Sequence, residues 1–376
     1  MILRIIYNVK FAKGVGITYM KDRRAFEHIL NNTFIPSNNP RDMNNQLIGA
    51  LHDEAHKGLP RKLYRYQRCD DLRFDAFDKN QIWISTARSM NDGFDTRIFI
   101  NKDEIRKEIS KNVLPDKSLQ EFKDLALEAS KIIPGIDVVK ANKIQEDTFK
   151  QIKEDYRAIL TSDMMTFLEV IPDEFQRMLK ICCFCERNDL STMWGQYADS
   201  EKGFCLEYNS RSLLKVASPN KYGRSCQLLP VIYSDRRYLV PTDYIMSILK
   251  YRSLKSALIS SGYYQCYPDV AAALLNDNCI IPDELVPIKA SLHKSDEWSR
   301  EEEWRLFCTS NDDIEFQNAE HGCCIVKPSA VYLGRRISSI NSKILISLAQ
   351  EKEIPVYKMQ LDEESPTYNM KPIQIG

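Results

Sequence analysis

The chain has 376 residues, and its 52 Lys and Arg are balanced by 52 Asp and Glu, so the formal net charge is zero. At roughly 150 residues per domain, this length allows one large elaborated domain or two smaller ones and excludes a disulfide-stapled miniprotein. The zero net charge disfavours binding of nucleic acid through the whole surface, although a local basic patch stays compatible with it. No stretch approaches the roughly 18 apolar residues of a membrane span, so we expect no membrane partner.

The cysteine content indicates a reducing compartment. Eleven cysteines, an odd number without regular spacing, form a poor disulfide framework, so we expect free thiols and a cytoplasmic location. The runs C-C-F-C at 182–185 and C-C at 323–324 lack the paired C-x-x-C knuckles of zinc sites. We expect these cysteines to lie in buried strands, and we expect no bound metal.

Taken in chain order, the sequence predicts an α+β fold in which short-stranded sheets carry a helical insertion. Residues 1–60 are predicted to be a variable N-terminal lead-in, and residues 61–376 a single domain. The β-branched and aromatic runs at 63–66 and 81–86 predict two strands. The highly charged segment at about 102–180 has helical periodicity and predicts the inserted helical subdomain.

Strands and helices continue to alternate irregularly in the second half of the chain. Strands are predicted at 181–185, 203–208 and 304–308, and helices at 244–259 and 343–352. Short strands scattered among helices are typical of an α+β fold rather than of a doubly wound parallel sheet.

Polar residues interrupt the predicted strand ends at four places, and the first is L-Y-R-Y at 63–66. The guanidinium of Arg65 can bind a phosphate through two parallel hydrogen bonds, and the ring of Tyr64 or Tyr66 can stack on a base. An amphipathic edge strand without a ligand is the alternative.

The second and third places are a turn and an aromatic segment. Asp92 and Asp95 can hold a divalent cation, while Asn91 suits a tight turn; a purely structural turn is the alternative. Trp194 and Tyr197 are three residues apart, which puts them on one face of a helical turn, where they can enclose a planar ring. Ordinary core packing explains this pair equally well.

The fourth place, K-S-D-E-W-S-R-E-E-E-W-R at 294–305, is the most informative. If the following strand extends back by three residues, its period of two places Glu301, Glu303 and Arg305 on one face. Lys294 opens the same motif. The alternative is a solvated run of charges, although two tryptophans bracketing the carboxylates are unusual on an exposed face.

The order of these motifs resembles a large, mostly bacterial family named domain of unknown function 2971. Its members typically show L-Y-[KR]-Y, N-D-P-F-D, M-W-x-x-Y-A-x-x-x-x-G and K-x-x-x-W-x-x-E-x-E-[WY]-R. All four motifs occur here in order between about Lys62 and Tyr357, with Gly93 in place of the proline. By looser analogy the order is similar to the plan of ADP-ribosyltransferases, in which an early strand binds the dinucleotide, a middle aromatic segment binds nicotinamide and a late strand supplies a glutamate.

This analogy implies that NAD is the substrate, and that the chain is an ADP-ribosyltransferase or NAD-cleaving effector of toxin or anti-phage defence type. Its macromolecular target is unknown. Cleavage of the nicotinamide glycosidic bond passes through an oxocarbenium-like state that a carboxylate stabilises. The predicted roles are catalysis for Glu303 and Glu301, dinucleotide binding for Tyr64, Arg65, Tyr66, Trp194, Tyr197 and Arg305, and lining of the same cleft for Asn91, Asp92, Asp95 and Lys294.

Two other classes of function stay open at this point. A metal-dependent nuclease can use Asp92, Asp95, Glu301 and Glu303 around Mg²⁺. A non-catalytic nucleotide-sensing module needs only the aromatic cleft.

Overall fold

The computed structural model of the chain describes most of the predicted domain. Its described residues are 18–112, 162, 164–177, 179–217, 226–260, 265, 268–269, 272, 275, 279–308, 321–366 and 368–376. The predicted insertion at about 102–180 therefore lies largely outside the described residues.

Helices surround a mixed sheet, so the predicted α+β class is confirmed. None of the described helices is long and apolar enough to cross a membrane. The described helices are α1 (Thr18–Asn32), α2 (Arg41–Lys57), α3 (Asp71–Asp78), α4 (Lys102–Asn112), α5 (164–177), α6 (Ser191–Tyr197), α7 (Ser210–Ala217), α8 (Thr242–Ser260), α9 (Val286–Leu292) and α10 (Ser339–Glu351), with 3₁₀ turns at Ala87–Ser89 and Asp296–Glu301.

Ten of the strands in the described part of the chain form one sheet, and two more form a separate short pair. The strands are β1 (Lys62–Gln67), β2 (Gln81–Thr86), β3 (Lys180–Cys185), β4 (Phe204–Asn209), β5 (Cys226–Pro230), β6 (Ile232–Ser234), β7 (His293–Ser295), β8 (Glu303–Cys308), β9 (His321–Ile325), β10 (Ala330–Leu333), β11 (Val356–Leu361) and β12 (Met370–Gln374).

The large sheet branches at β3. One edge of β3 pairs with β8 along its full length, and its other edge pairs with β1 at one end and with β2 at the other. The order β12-β11-β10-β4-β1 therefore forms one wing, and β5-β8-β3-β2-β9 forms the second. The small pair, β6 and β7, lies beside the second wing and presents its own side chains next to β8.

Alternate residues of β8 point to opposite faces of the sheet. Glu303, Arg305 and Phe307 lie on one face, here called the front face, while Trp304 and Leu306 pack into the core on the back face. The sequence predicted a strand that continued back to Glu301. The structure corrects this, because β8 begins at Glu303 and is preceded by the Asp296–Glu301 3₁₀ turn.

The N-terminal helices are part of the front-face core. Phe26 and Leu30 of α1 and Leu51 and Ala55 of α2 are spaced by four residues, and their side chains are 0–3% exposed. Full burial of a large apolar side chain contributes about 1.5–3 kcal/mol, so these two helices stabilise the domain substantially. The folding of residues 61–376 without residues 1–60 stays a prediction of the sequence. Because α1 and α2 pack into the core, we expect the truncated chain not to fold.

Candidate functional site

Five charged side chains lie buried at the front face, and we call them the buried charge cluster. They come from the loop after β2 (Asp95), from β7 (Lys294), from the 3₁₀ turn (Glu301) and from β8 (Glu303 and Arg305). Their exposed fractions are 0–7%. The structure thus brings together five residues that the sequence placed in one cleft, although 210 positions separate Asp95 from Arg305.

Short charge-assisted hydrogen bonds hold the cluster together. Arg305 Nε donates to Glu303 Oε1 at 2.7 Å, and its Nη2 donates to Asp95 Oδ2 at 2.7 Å. Lys294 Nζ donates to Glu303 Oε2 at 3.0 Å and to Glu301 Oε2 at 2.5 Å. Both oxygens of the Glu303 carboxylate are therefore occupied by cations of the protein itself.

Three carboxylates face two cations, so the cluster has a net charge of −1 when every group is ionised. Burial opposes ionisation of Glu303, but Arg305 and then Lys294 hold its pKa well below the ordinary value. Burial raises the pKa of Glu301, and Glu303 adds to this effect while Lys294 opposes it. Charge clusters perturbed in this way concentrate at functional sites, although structural ion pairs also produce them.

Two further predicted residues lie at the edge of the cluster. Tyr197, at the end of α6, donates its hydroxyl proton to Glu301 Oε1 at 2.6 Å, and Asn91 Nδ2 donates to the same Tyr197 oxygen at 3.1 Å. Asp92 instead accepts a hydrogen bond from the backbone N–H of Phe94 at 2.9 Å, which is the structural turn given as its alternative.

The structure does not place Arg65 with the cluster. Tyr64 is opposite Cys185, and Cys185 is opposite Glu303, so Tyr64 faces the front and Arg65, the next residue, faces the back. There Arg65 Nη2 donates to the carbonyl of Trp83 at 2.9 Å. The predicted convergence of Arg65 with Glu303 is therefore wrong, because one step along a strand reverses the direction of the side chain.

Trp194, Tyr66 and Tyr64 form a packed aromatic core instead of a ligand sandwich. Trp194 is 0% exposed, its Nε1 donates to the carbonyl of Asn188, and its ring meets Tyr66 edge to face at 5.2 Å. Tyr66 is also buried, and Tyr64 meets Tyr332 edge to face at 5.9 Å. These rings contact other aromatic rings of the protein, which for Trp194 is the core packing given as the alternative. This arrangement corrects the prediction that they enclose nicotinamide.

A cavity of about 850 Å³, here called the large cavity, opens beside the 3₁₀ turn and α1. Its walls combine arginines with carboxylates and include the ring of Tyr233. The charged lining residues are Arg23, Arg24, Glu27, Glu186, Arg187, Asp296, Arg300 and Glu302. Arg24 and Arg300 are exposed, whereas Arg23 is bonded to Glu186 at 2.7 Å and to the carbonyl of Val231.

Glu302 is the carboxylate of the E-E-E run that faces this cavity. Its backbone is left-handed, with φ 45° and ψ 49°, where the 3₁₀ turn ends and β8 begins. A non-glycine residue in this region stores about 1–3 kcal/mol of strain, which is common at ligand sites. Burial, and next the negative charge of Glu186, raise the pKa of Glu302.

Sequence reasoning missed the large cavity. Glu302 lies inside the E-E-E run of the fourth motif, but the period of two did not apply to it, because β8 begins only at Glu303. Arg300 lies inside the same motif. No local sequence pattern pointed to Arg23 and Arg24, because Arg23 of α1 binds Glu186, which is 163 residues away in the sequence.

Comparison with known proteins finds one family that resembles part of the chain. Residues 193–306 match the family described as protein of unknown function, DUF2971. This segment is therefore similar to the DUF2971 family. The segment includes Trp194, Tyr197 and the whole motif from Lys294 to Arg305, whereas the motifs at 63–66 and 91–95 precede it. No curated protein and no solved structure matched the chain.

Proposed function

We propose that this protein consumes NAD, that the large cavity binds the dinucleotide, and that Glu302 is the carboxylate at the scissile bond. The observation that carries the proposal is the lining of the large cavity, where exposed arginines and a strained, half-buried glutamate lie together. The cavity volume of about 850 Å³ lies within the range of about 300–1,000 Å³ that is typical of ligand pockets.

Two parts of the lining match parts of the dinucleotide. Arginines at the rim suit a pyrophosphate, because a planar guanidinium binds two phosphate oxygens at once. The Glu302 carboxylate suits the ribose beside nicotinamide. As the glycosidic bond breaks, nicotinamide leaves with the bonding electron pair, and the carboxylate stabilises the positive charge that develops on the ribose. Water or a target nucleophile then attacks C1′.

Glu303, the catalytic residue predicted from sequence, is poorly placed for this step. Its side chain is 5% exposed and both its oxygens bind cations of the protein, so a substrate cannot approach it without breaking the buried charge cluster. The same cations occupy the carboxylates of the predicted nuclease site, where Mg²⁺ would have to compete with Lys294 and Arg305.

The partner and the location belong to the same proposal. We expect an acceptor macromolecule, and we place the reaction in the cytoplasm because seven of the described cysteines are thiols that form no disulfide, as in a reducing compartment. A role in bacterial defence is compatible with NAD consumption.

The test is release of nicotinamide from NAD by the full chain, alone and with cell extract. Glu302→Gln keeps the side-chain shape but removes the charge, so we expect its rate to fall by about 10²- to 10³-fold with unchanged NAD binding. Arg211→Ala, an exposed change away from the large cavity, serves as the control and should keep the full rate. Wild-type protein that binds NAD but releases no nicotinamide would instead support the sensing module.

A further inference from the structure

An exposed surface between the loop after β2 and the turn after β6 combines aromatic rings with guanidinium groups, and we call it the arginine-aromatic patch. It consists of Phe94, Phe99, Arg236, Arg237 and Leu239. Phe94 is 69% exposed, Phe99 44% and Leu239 49%, and both arginines are exposed as well. Neighbouring large apolar side chains with this exposure are typical of an interaction surface.

Contacts among these residues join them into one surface. The guanidinium of Arg237 lies 5.3 Å from the centre of the Phe94 ring and 5.1 Å from the centre of the Phe99 ring. Phe99 forms a parallel β-bridge with Leu239. Arg236, Arg237 and Phe94 also line the same cavity of about 230 Å³. The rings and the guanidinium groups are therefore close enough to contact one ligand.

Arg237 offers hydrogen-bond donors and positive charge that the protein leaves uncompensated. Its Nη2 donates to the carbonyls of Arg97 at 2.8 Å and Ile98 at 3.1 Å, whereas Nε and Nη1 bind no acceptor among the described residues. Burial, and next the positive charge of Arg97, lower the pKa of Arg237. An anion bound at this guanidinium would offset both effects.

The nearby carboxylates do not neutralise the two arginines. Asp173 pairs with Arg97 at 2.8 Å, and Asp92 accepts a hydrogen bond from the backbone N–H of Phe94 at 2.9 Å. In the part of the chain that the structure describes, neither Arg236 nor Arg237 forms an ion pair with a carboxylate. Both guanidinium groups are therefore available to an anionic partner.

We propose that the arginine-aromatic patch binds single-stranded nucleic acid, with backbone phosphates on Arg236 and Arg237 and bases stacked on Phe94 and Phe99. A guanidinium binds two phosphate oxygens at once, and every base has a flat face that can stack on an exposed aromatic ring. The paired bases of a duplex are stacked inside it and cannot reach these rings. An acidic peptide would satisfy the arginines but would leave the rings without a partner.

This inference goes beyond the proposed NAD reaction and does not depend on it. A patch of two arginines is local, so it agrees with the zero net charge of the whole chain.

The experiment is a fluorescence anisotropy titration, without NAD, in which the full chain is added to a labelled oligodeoxythymidine of about twelve nucleotides. We expect binding that weakens with salt. The slope of log K against the logarithm of the salt concentration should be about −1.4, because each of two phosphate contacts contributes about −0.7 on a single strand. An abasic strand of the same length should bind about tenfold more weakly, because it cannot stack.

Three results would overturn the proposal. They are absence of binding at about 50 mM salt, equal binding of the abasic strand, and competition by polyglutamate that is as strong as competition by the unlabelled strand. The last result would indicate an acidic protein partner instead.

Variants with matched controls locate the binding surface. Phe94→Ala should weaken binding about tenfold with an unchanged salt slope, and Arg236→Ala should make the slope shallower by about 0.7. Both side chains are exposed, so neither change should alter the melting temperature. The controls are Tyr368→Ala, which removes a 96% exposed ring outside the patch, and Arg211→Ala, which removes an exposed guanidinium outside it.

Both controls should bind the strand like the wild type. Unchanged binding in Phe94→Ala, an unchanged slope in Arg236→Ala, or an equal loss in a control would show that the patch is not the binding surface.

Discussion

Arg305 shows how much a single side chain contributes to this site. It is 0% exposed and its guanidinium binds two carboxylates and the carbonyl of Ser291. Arg305→Met would leave three buried carboxylates facing Lys294 alone. Because removing one partner strands buried charge, we expect a loss of about 3–5 kcal/mol in the free energy of unfolding, measured by urea denaturation.

Arg335→Met is the matched control, because Arg335 also pairs with a glutamate, Glu201 at 2.8 Å, but is 41% exposed. Surface ion pairs contribute at most about 1 kcal/mol, so this variant should unfold close to the wild-type midpoint. Equal losses in the two variants would show that the buried charge cluster does not stabilise the fold.

At the same scale, residue type and spacing were sufficient to place Glu303 and Arg305 on one face, because strand periodicity is a local property. Glu301 joins them from the 3₁₀ turn before β8, which the period of two did not predict. Residue type and spacing were insufficient for Arg65, whose role depends on which face of a β-sheet is covered. That choice is made by packing with β2 and β3, and nothing in L-Y-R-Y itself encodes it.

The turn between α6 and β4 depends on Gly203, the last residue of the M-W-x-x-Y-A-x-x-x-x-G motif. A Cβ at Gly203 would lie 2.1 Å from the carbonyl oxygen of Gln67 on the neighbouring strand. Backbone has to move to relieve this clash, so Gly203→Ala should lower the free energy of unfolding by about 3 kcal/mol.

Gly195 gives the opposite expectation within the same motif. It lies inside α6, and a Cβ there meets nothing within 4 Å. Gly195→Ala should therefore stabilise the protein by up to about 1 kcal/mol in a thermal melt, because alanine favours the helix. A destabilised Gly195→Ala, or a neutral Gly203→Ala, would contradict this description of the turn.

Helix α2 makes the stability depend on pH. Burial, and for His52 also the neighbouring His56, lowers the pKa of both imidazoles, so the unfolded state binds more protons than the folded state. The contribution of the two neutral histidines to the free energy of unfolding is fully present above about pH 6.5. It is lost as the pH falls toward their lowered pKa values. Burial likewise lowers the pKa of His293.

We therefore expect the free energy of unfolding in urea to fall between pH 7.5 and 5.5, by at most about 1.4 kcal/mol per pH unit for each histidine. A variant with His52→Gln and His56→Gln should show a shallower fall. An identical slope in this variant would mean that other groups cause the acid sensitivity.

At the scale of the whole molecule, the N-terminal helices decide whether the domain is complete. Removal of residues 1–57 would expose the side chains that pack on Phe26, Leu30 and Leu51, and would remove the bond between Arg23 and Glu186. We expect the shortened chain to lose its cooperative thermal transition, as followed by circular dichroism. A sharp transition near the wild-type temperature would instead support the prediction that the domain begins at about residue 61.

The sequence predicted the α+β class and most strands because these follow from local periodicity. It did not predict the branching of the sheet at β3 or the contribution of α1 and α2 to the core. Both depend on contacts between distant segments, such as Arg23 with Glu186, and residue patterns within one segment carry no record of them.

Titration with NAD of the wild type, Arg300→Ala and Arg65→Ala tests the central claim, that the large cavity is the dinucleotide site. Arg300 lines the cavity, whereas Arg65 lies on the back face of the sheet. We expect Arg300→Ala to weaken NAD binding about tenfold or more, and Arg65→Ala to bind like the wild type. Wild-type protein that does not bind NAD, or a loss of binding in Arg65→Ala alone, would contradict the account.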